Sequence, residues 1–189
     1  MYSIYCMTIF GKKKRIYMDY ASTTPTSQEV FSAMAKYSKN NFANPSALHL
    51  EGQNAKETLK VSKEKISKIL NVRSNEIVFT SGGTESNNLA LMGVFKAAIK
   101  NGIVKPHIIT SNIEHPAILN VCEEIEKMGG EVTYVKVSKD GLISAQDIFD
   151  SIKENTVLIT IMYANNEIGT IQPIEDISRK IKSWKLKNH

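Results

Sequence analysis

From residue 76 onward, short apolar runs alternate with stretches whose apolar residues recur every three or four positions. Runs of β-branched and aromatic residues between turn formers read as strands, and the longer spacing reads as amphipathic helix. The pattern predicts strands at residues 76–79, 106–110, 131–137 and 156–162. The last, Thr156-Val157-Leu158-Ile159-Thr160-Ile161-Met162, is continuous and β-branched, the pattern of a strand covered on both faces. A helix follows residue 82, and a second starts at Pro116 with Ile118, Val121, Cys122 and Ile125 inward and Gly129-Gly130 closing it. Asp140-Gly141 is a turn, Ser144 with Asp147 starts a short helix, and Ile174, Ile177, Ile181 and Trp184 mark a last one.

The first part of the chain is helical between loops. Thr26 with Glu29 three residues on forms a capping box, and Val30, Met34 and Tyr37 share the helix face that follows. Residues 40–46 are too dense in turn formers for a regular element. A long helix then spans about 51–70, with Ala55, Leu59, Ser62, Ile66 and Ile69 on one side and mostly Lys and Glu on the other. Strands alternating with helices predict an α/β fold, a largely parallel sheet with flanking helices. Ligands of such sheets sit outside the carboxyl ends of the strands. Three loops leave three different strands at that end, 81–88, 111–116 and 163–169, and can meet in one crevice.

Composition narrows the function classes. The 189 residues are 42% hydrophobic and 23% charged, enough for one soluble α/β domain with a core. Residues 1–15 read as an amino-terminal appendage and 16–189 as the domain. The net charge of +5 is spread along the chain, with one cluster at Lys12-Lys13-Lys14-Arg15. Aromatic residues do not alternate with these cations, so a solvated surface is expected and direct nucleic-acid binding is not. Cys6 and Cys122 have no CxxC spacing, which argues against a disulfide scaffold or a metal site and for a reducing, cytoplasmic setting. No run is long enough to cross a bilayer, and the basic residues follow the apolar start instead of preceding it, unlike a secretory signal.

The stretch richest in candidate chemistry is Thr80-Ser81-Gly82-Gly83-Thr84-Glu85-Ser86-Asn87-Asn88. Its glycines leave the backbone open to a ligand. Hydroxyls and first-turn amides converge where the helix dipole adds positive charge, which suits a phosphate dianion. It is neither a Gly-x-x-x-x-Gly-Lys-Ser/Thr loop nor Gly-x-Gly-x-x-Gly. A plain βα turn with a capping hydroxyl reads the same residues without a ligand.

Six stretches in order carry a resemblance. They are Tyr17-Met18-Asp19-Tyr20-Ala21-Ser22-Thr23-Thr24-Pro25, Asn44-Pro45-Ser46 with His49, Phe79 to Ser86, Glu114-His115, Asn165-Asn166-Glu167-Ile168-Gly169 with Gln172-Pro173, and less specifically Val132 to Lys136. Together they resemble the amino-terminal half of a cysteine desulfurase, in the NifS/IscS-like branch of the class-V aminotransferases. The resemblance implies part of the large domain of the pyridoxal-phosphate aminotransferase-like fold, with pyridoxal 5'-phosphate as cofactor. It places the cofactor phosphate on Gly83 and Thr84, with Gly83 standing where many relatives have Ala. It sets His115 against the ring with a part in proton transfer, and Asn166 as donor to the ring oxygen. Read without the family, His115 is a helix cap and Asn166 a turn residue. His49 and the 19–25 loop match without a role.

The resemblance also implies residues that the 189 do not contain. An Asp that pairs with the pyridinium nitrogen, a Gln, a Schiff-base Lys in a Ser-x-His-Lys stretch and a nucleophilic Cys on a later loop would follow. Cys122 reads as core, Cys6 lies in the appendage, and Lys180, Lys182, Lys185 and Lys187 read as a solvated helix end. The expectation is an incomplete domain without desulfurase activity of its own and without a catalytic residue beyond His115. The complete enzyme would turn L-cysteine into L-alanine and pass persulfide sulfur to an acceptor protein for iron–sulfur cluster assembly or tRNA thiolation. It would work as a homodimer or with a complementing carboxyl-terminal chain. The alternatives are a non-catalytic remnant that binds cofactor or a partner, and half of a related aminotransferase or selenocysteine lyase.

Overall fold

Strands β1 (Tyr5–Met7) and β2 (Lys13–Arg15) pair antiparallel, with Tyr5 opposite Arg15. The stretch read as an appendage thus carries regular structure. The computed structural model describes residues 5–7 and 13–188, and the chain divides into two units, residues 1–79 and 80–189. The rest of the appendage, Lys12 included, lies outside the described residues, as do the side chains of Cys6, Lys185 and Lys187.

In the first unit, helix α1 (Gln28–Asn40) is capped by Ser27, whose hydroxyl accepts from the Val30 amide at 3.4 Å. The expected cap, Thr26, is one residue too early, because the extended residue before the helix is Ser27 (ψ 154°). Val30, Met34 and Tyr37 do share a face, but all three are exposed. Helix α2 (Leu50–Leu70) begins at His49, whose Nδ1 accepts from the Gly52 amide at 3.3 Å. It buries Gly52, Ala55 and Ser67, whereas Leu59 and Ile69 are exposed. The buried face is therefore rotated from the apolar one. At the first turn the preceding loop sits directly against the helix: a Cβ on Gly52 would lie 2.5 Å from the Ala47 carbonyl oxygen.

Residues 76–79 do not form the predicted strand. Ser74–Glu76 is a 3-10 turn in which the Glu76 carboxylate accepts from the Arg73 amide and pairs with its guanidinium, both at 2.8 Å. Ile77 leaves that turn extended (φ -87°, ψ 122°), without a strand partner among the described residues. A β-propensity run becomes a strand only where a neighbour supplies the ladder.

The second unit is helix α3 (Gly83–Lys100), β3 (His107–Ser111), α4 (Pro116–Lys127), β4 (Glu131–Val135), α5 (Ala145–Asp150), β5 (Thr156–Thr160) and α6 (Ile174–Asn188). The strands form a parallel sheet in the order β4-β3-β5, with Ile108 opposite both Val132 and Leu158. Every residue of central β3 is buried. Ile108 packs with Leu91 and Phe95 of α3 and with Ile118, Val121, Cys122 and Ile125 of α4. Its neighbour Ile109 faces the other way, into Val135, Ile143, Ile148 and Ile177. The period of two thus divides the core into two layers. Full burial of each such Ile or Phe stabilises the unit by roughly 1.5–3 kcal/mol.

Strand β5 departs from expectation, being half-buried throughout and at the sheet's edge. Its apolar run suits two covered faces, but only β3 flanks it among the described residues. A groove of about 360 Å³ lies open between β5 and α6, lined by Ile159, Ile161, Ile174, Ile177 and Ile181 among others. Other local signals hold: Pro116 opens α4, Ser144 caps α5 through the Asp147 amide, and Gly129 takes the left-handed conformation (φ 90°) after α4. Among the described residues no helix is long and apolar enough to cross a membrane.

Candidate functional site

The carboxyl ends of β3 and β5 are joined by one side chain. The Glu114 carboxylate oxygen Oε1 accepts the Ser111 hydroxyl at 2.7 Å and the Met162 amide at 2.8 Å. Glu114 is only 6% exposed. Asn165 adds a second link: its side-chain nitrogen donates to the Ile113 carbonyl at 3.1 Å. Its Oδ1 accepts from the Glu167 and Ile168 amides at 2.9 and 3.0 Å, shaping the loop that Gly169 (φ 73°) turns back. Between the linked loops lies a hollow of about 350 Å³, lined by Glu114, His115 and Pro116 on one side and Asn165, Asn166 and Glu167 on the other, with Ile113 and Ile168. That volume is at the small end of ligand pockets.

His115 and Asn166 thus meet in one hollow. His115 is also the N-cap of α4, as its sequence read without the family: Nδ1 accepts from the Ala117 amide at 3.0 Å, Pro116 having none to offer. With Nδ1 accepting, the neutral ring carries its proton on Nε2, the nitrogen left free to exchange it. Asn166 is exposed and its side-chain amide has no partner among the described residues. Of two adjacent asparagines, one is consumed by the loop and the other is left for something else.

Gly83 and Thr84 are not among the residues that line this hollow. Their corner lies exposed at the start of α3, whose buried residues, Leu91, Phe95 and Ala98, begin two turns further on. Gly82 is the N-cap, in extended backbone (φ 165°), and no side chain caps the helix. The first-turn amides have no intrahelical acceptor and remain open. The expected tight turn is not what requires these glycines: a Cβ on Gly82 or Gly83 would meet nothing within 4 Å. Around them the Ser81 amide and hydroxyl both donate to Glu85 Oε2 at 2.6 Å, holding that carboxylate below its usual range. The Thr80 and Ser86 hydroxyls lie 2.6 Å apart.

The remaining motif residues make local contacts. His49 Nδ1 lies 3.3 Å from the Gly52 amide and 3.0 Å from Glu51 Oε2, a cap for α2. In the 19–25 loop, Tyr17 donates to the Asp19 carbonyl at 2.9 Å and packs edge-on against Tyr20. Gln172, 4% exposed, donates to the Gly141 carbonyl at 2.7 Å and accepts from the Ile143 amide at 2.9 Å. Sequence reasoning gave no role to Glu114 or Asn165. The available signal was Ser111-x-x-Glu114, the spacing of a capping box, here closing a strand end. Cys122 is fully buried, as expected, and among the described residues no group of three His, Cys, Asp or Glu is placed to hold a metal.

The aminotransferase class-V family matches residues 16–187. The chain belongs to that family. Among class-V proteins it is similar to the cysteine desulfurase IscS of Dictyoglomus turgidum, 44% identical over 177 residues, covering 94% of this chain and 44% of that protein. The IscS of Methanosarcina thermophila is also 44% identical, over 178 residues, covering 94% of this chain and 43% of that protein. Two solved structures share the fold. SspA in complex with cysteine superposes with a TM-score of 0.82 at 45% identity, covering 89% of this chain and 48% of that one. A NifS-like protein gives 0.84 at 36%, covering 90% and 46%. The class-V chain thus spans less than half the length of these relatives, as a partial domain matching their amino-terminal part.

Proposed function

We propose that this chain is the amino-terminal part of a pyridoxal-phosphate cysteine desulfurase, with L-cysteine as the substrate of the complete enzyme. The observation that carries the reading is the hollow in which His115 and Asn166 face one another outside the parallel strands. Desulfurase relatives across most of the chain support it, as does the cysteine held by SspA. The donor set suits the cofactor. Asn166 offers an uncommitted amide to a ring oxygen, and His115 offers a planar ring with a proton on Nε2. The uncapped amides of Gly83 and Thr84 suit a phosphate. When bound, the cofactor supplies the electron sink for reaction at the substrate's amino-acid carbon. The chain's own residues hold and orient it, and His115 moves a proton at Nε2.

The chain by itself binds the cofactor but does not turn over cysteine, because no residue among the 189 matches the Schiff-base lysine or the nucleophilic cysteine of the resemblance. Activity then rests on the missing carboxyl-terminal part, supplied by a complementing chain or by the complete homodimeric enzyme, with a sulfur-acceptor protein in the cytoplasm. The test is a titration of the purified chain with pyridoxal 5'-phosphate, followed by absorbance and intrinsic fluorescence. Saturable binding, weakened at least ~10-fold by Asn166→Ala or His115→Ala, is expected. Asn166→Ala should leave stability within about 0.5 kcal/mol of wild type, since the side chain supports nothing. Binding untouched by both substitutions refutes the site, and sulfide release above that of free cofactor refutes the inactive half.

A further inference from the structure

We propose that Glu114 is the positioning residue of this hollow: its carboxylate sets the spacing between the loop that carries His115 and the loop that carries Asn166. The backbone ladder between β3 and β5 ends at the Thr110–Thr160 pair. Beyond it no strand pairing ties Ser111 to Met162. One carboxylate oxygen does so instead, taking a hydrogen bond from each. His115 is the next residue after Glu114, and Asn166 lies four residues beyond Met162. This oxygen therefore ties both walls of the hollow together, beside the Asn165–Ile113 bond.

Burial makes the link consequential. Glu114 is only 6% exposed, and the two donors that its Oε1 accepts are costly to leave without an acceptor. Both donors belong to the loops being joined, so separating the loops gives up both bonds. The Glu114 charge is also felt by the Cys122 thiol beneath it, the third cause of that group's upward shift. The second oxygen, Oε2, has no hydrogen-bond partner among the described residues. Glutamine can therefore replace glutamate with Oε1 still accepting both bonds, whereas alanine removes them.

The catalytic meaning of this inference rests on the proposed cofactor site, but its geometry does not. The test is amide hydrogen exchange and nitrogen NMR on the ligand-free 189-residue chain. Glu114→Ala should speed exchange at the Met162 amide roughly 30-fold. It should also shift the His115 ring and Asn166 side-chain resonances while Phe95 and Ile109 in the core keep their protection. Glu114→Gln should restore Met162 to within about threefold of wild type. Should Glu114→Ala not fold, Ser111→Ala, which removes one of the two donors, is expected to speed Met162 exchange by about threefold to tenfold. Unchanged Met162 exchange in Glu114→Ala (or in Ser111→Ala where that variant stands in) overturns the proposal. So does equal damage from glutamine and alanine, or a loss of protection that extends to the core. Failure of wild type to bind pyridoxal 5'-phosphate would instead sink the cofactor reading and leave this one standing.

Discussion

His107 Nδ1 lies 2.7 Å from the Thr156 hydroxyl, and its Nε2 lies 2.8 Å from that of Thr133, so one ring bridges three strands. The ring is fully buried. Burial pushes its pKa down, the Lys153 charge adds to the shift, and Glu131 opposes it. The folded state therefore holds His107 neutral while the unfolded chain takes up a proton near pH 6.5. Its stability contribution is complete above that pH and declines as the pH falls through 6.5 toward the lower folded value. Urea midpoints at pH 7.5 and 5.5 should fall further apart for wild type than for His107→Gln, which itself costs roughly 1–3 kcal/mol at pH 7.5.

The Thr110 hydroxyl is the buried side-chain polar atom without a partner among the described residues. It gains nothing from the core and has lost its water. Thr110→Val keeps the branched shape and removes the desolvated group, so a gain of about 1 kcal/mol is expected in denaturant unfolding. No gain would mean that this hydroxyl finds an acceptor in solution.

Two glycines should respond oppositely to alanine. A Cβ on Gly130 would lie 2.5 Å from Ile125 Cγ2 and 2.8 Å from Phe95 Cε2, both fully buried, whereas one on Gly83 meets nothing. Gly130→Ala should lower stability by about 1–3 kcal/mol. Gly83→Ala, in the first turn of α3, should be neutral or stabilising by up to about 1 kcal/mol. Thermal unfolding of the pair decides both.

The Cys122 thiol is buried in the core, and burial pushes its pKa up to about 11, with Glu126 and Glu114 adding to it. The thiolate is the reactive form. A water-soluble thiol reagent at pH 8 should leave Cys122 unlabelled in the native chain and label it fully in denaturant, as read by peptide mass. Native labelling of that peptide would show that the α4 face is open.

Local signals in the sequence located most helices and caps. Pro116, Ser144 and the Gly129 reversal act on backbone within one turn of themselves, so their effect needs no distant partner. The inward set of α4 was legible for the same reason. The motif positions pointed to His115 and Asn166, which line one hollow, yet spacing along the chain did not reveal their neighbours Glu114 and Asn165 as the residues that join the loops.

What the sequence by itself determined is the helical periodicity, the parallel α/β alternation and the kinship of residues 16–187 with class-V proteins. Only the tertiary structure decided that, among the described residues, residues 77–79 have no strand partner and β5 is an edge, and that Gly83 is not among the residues lining the hollow. Strand pairing and loop convergence depend on which distant segment supplies a hydrogen-bond partner or a covering face. That choice is made between elements, and no single stretch of residues encodes it.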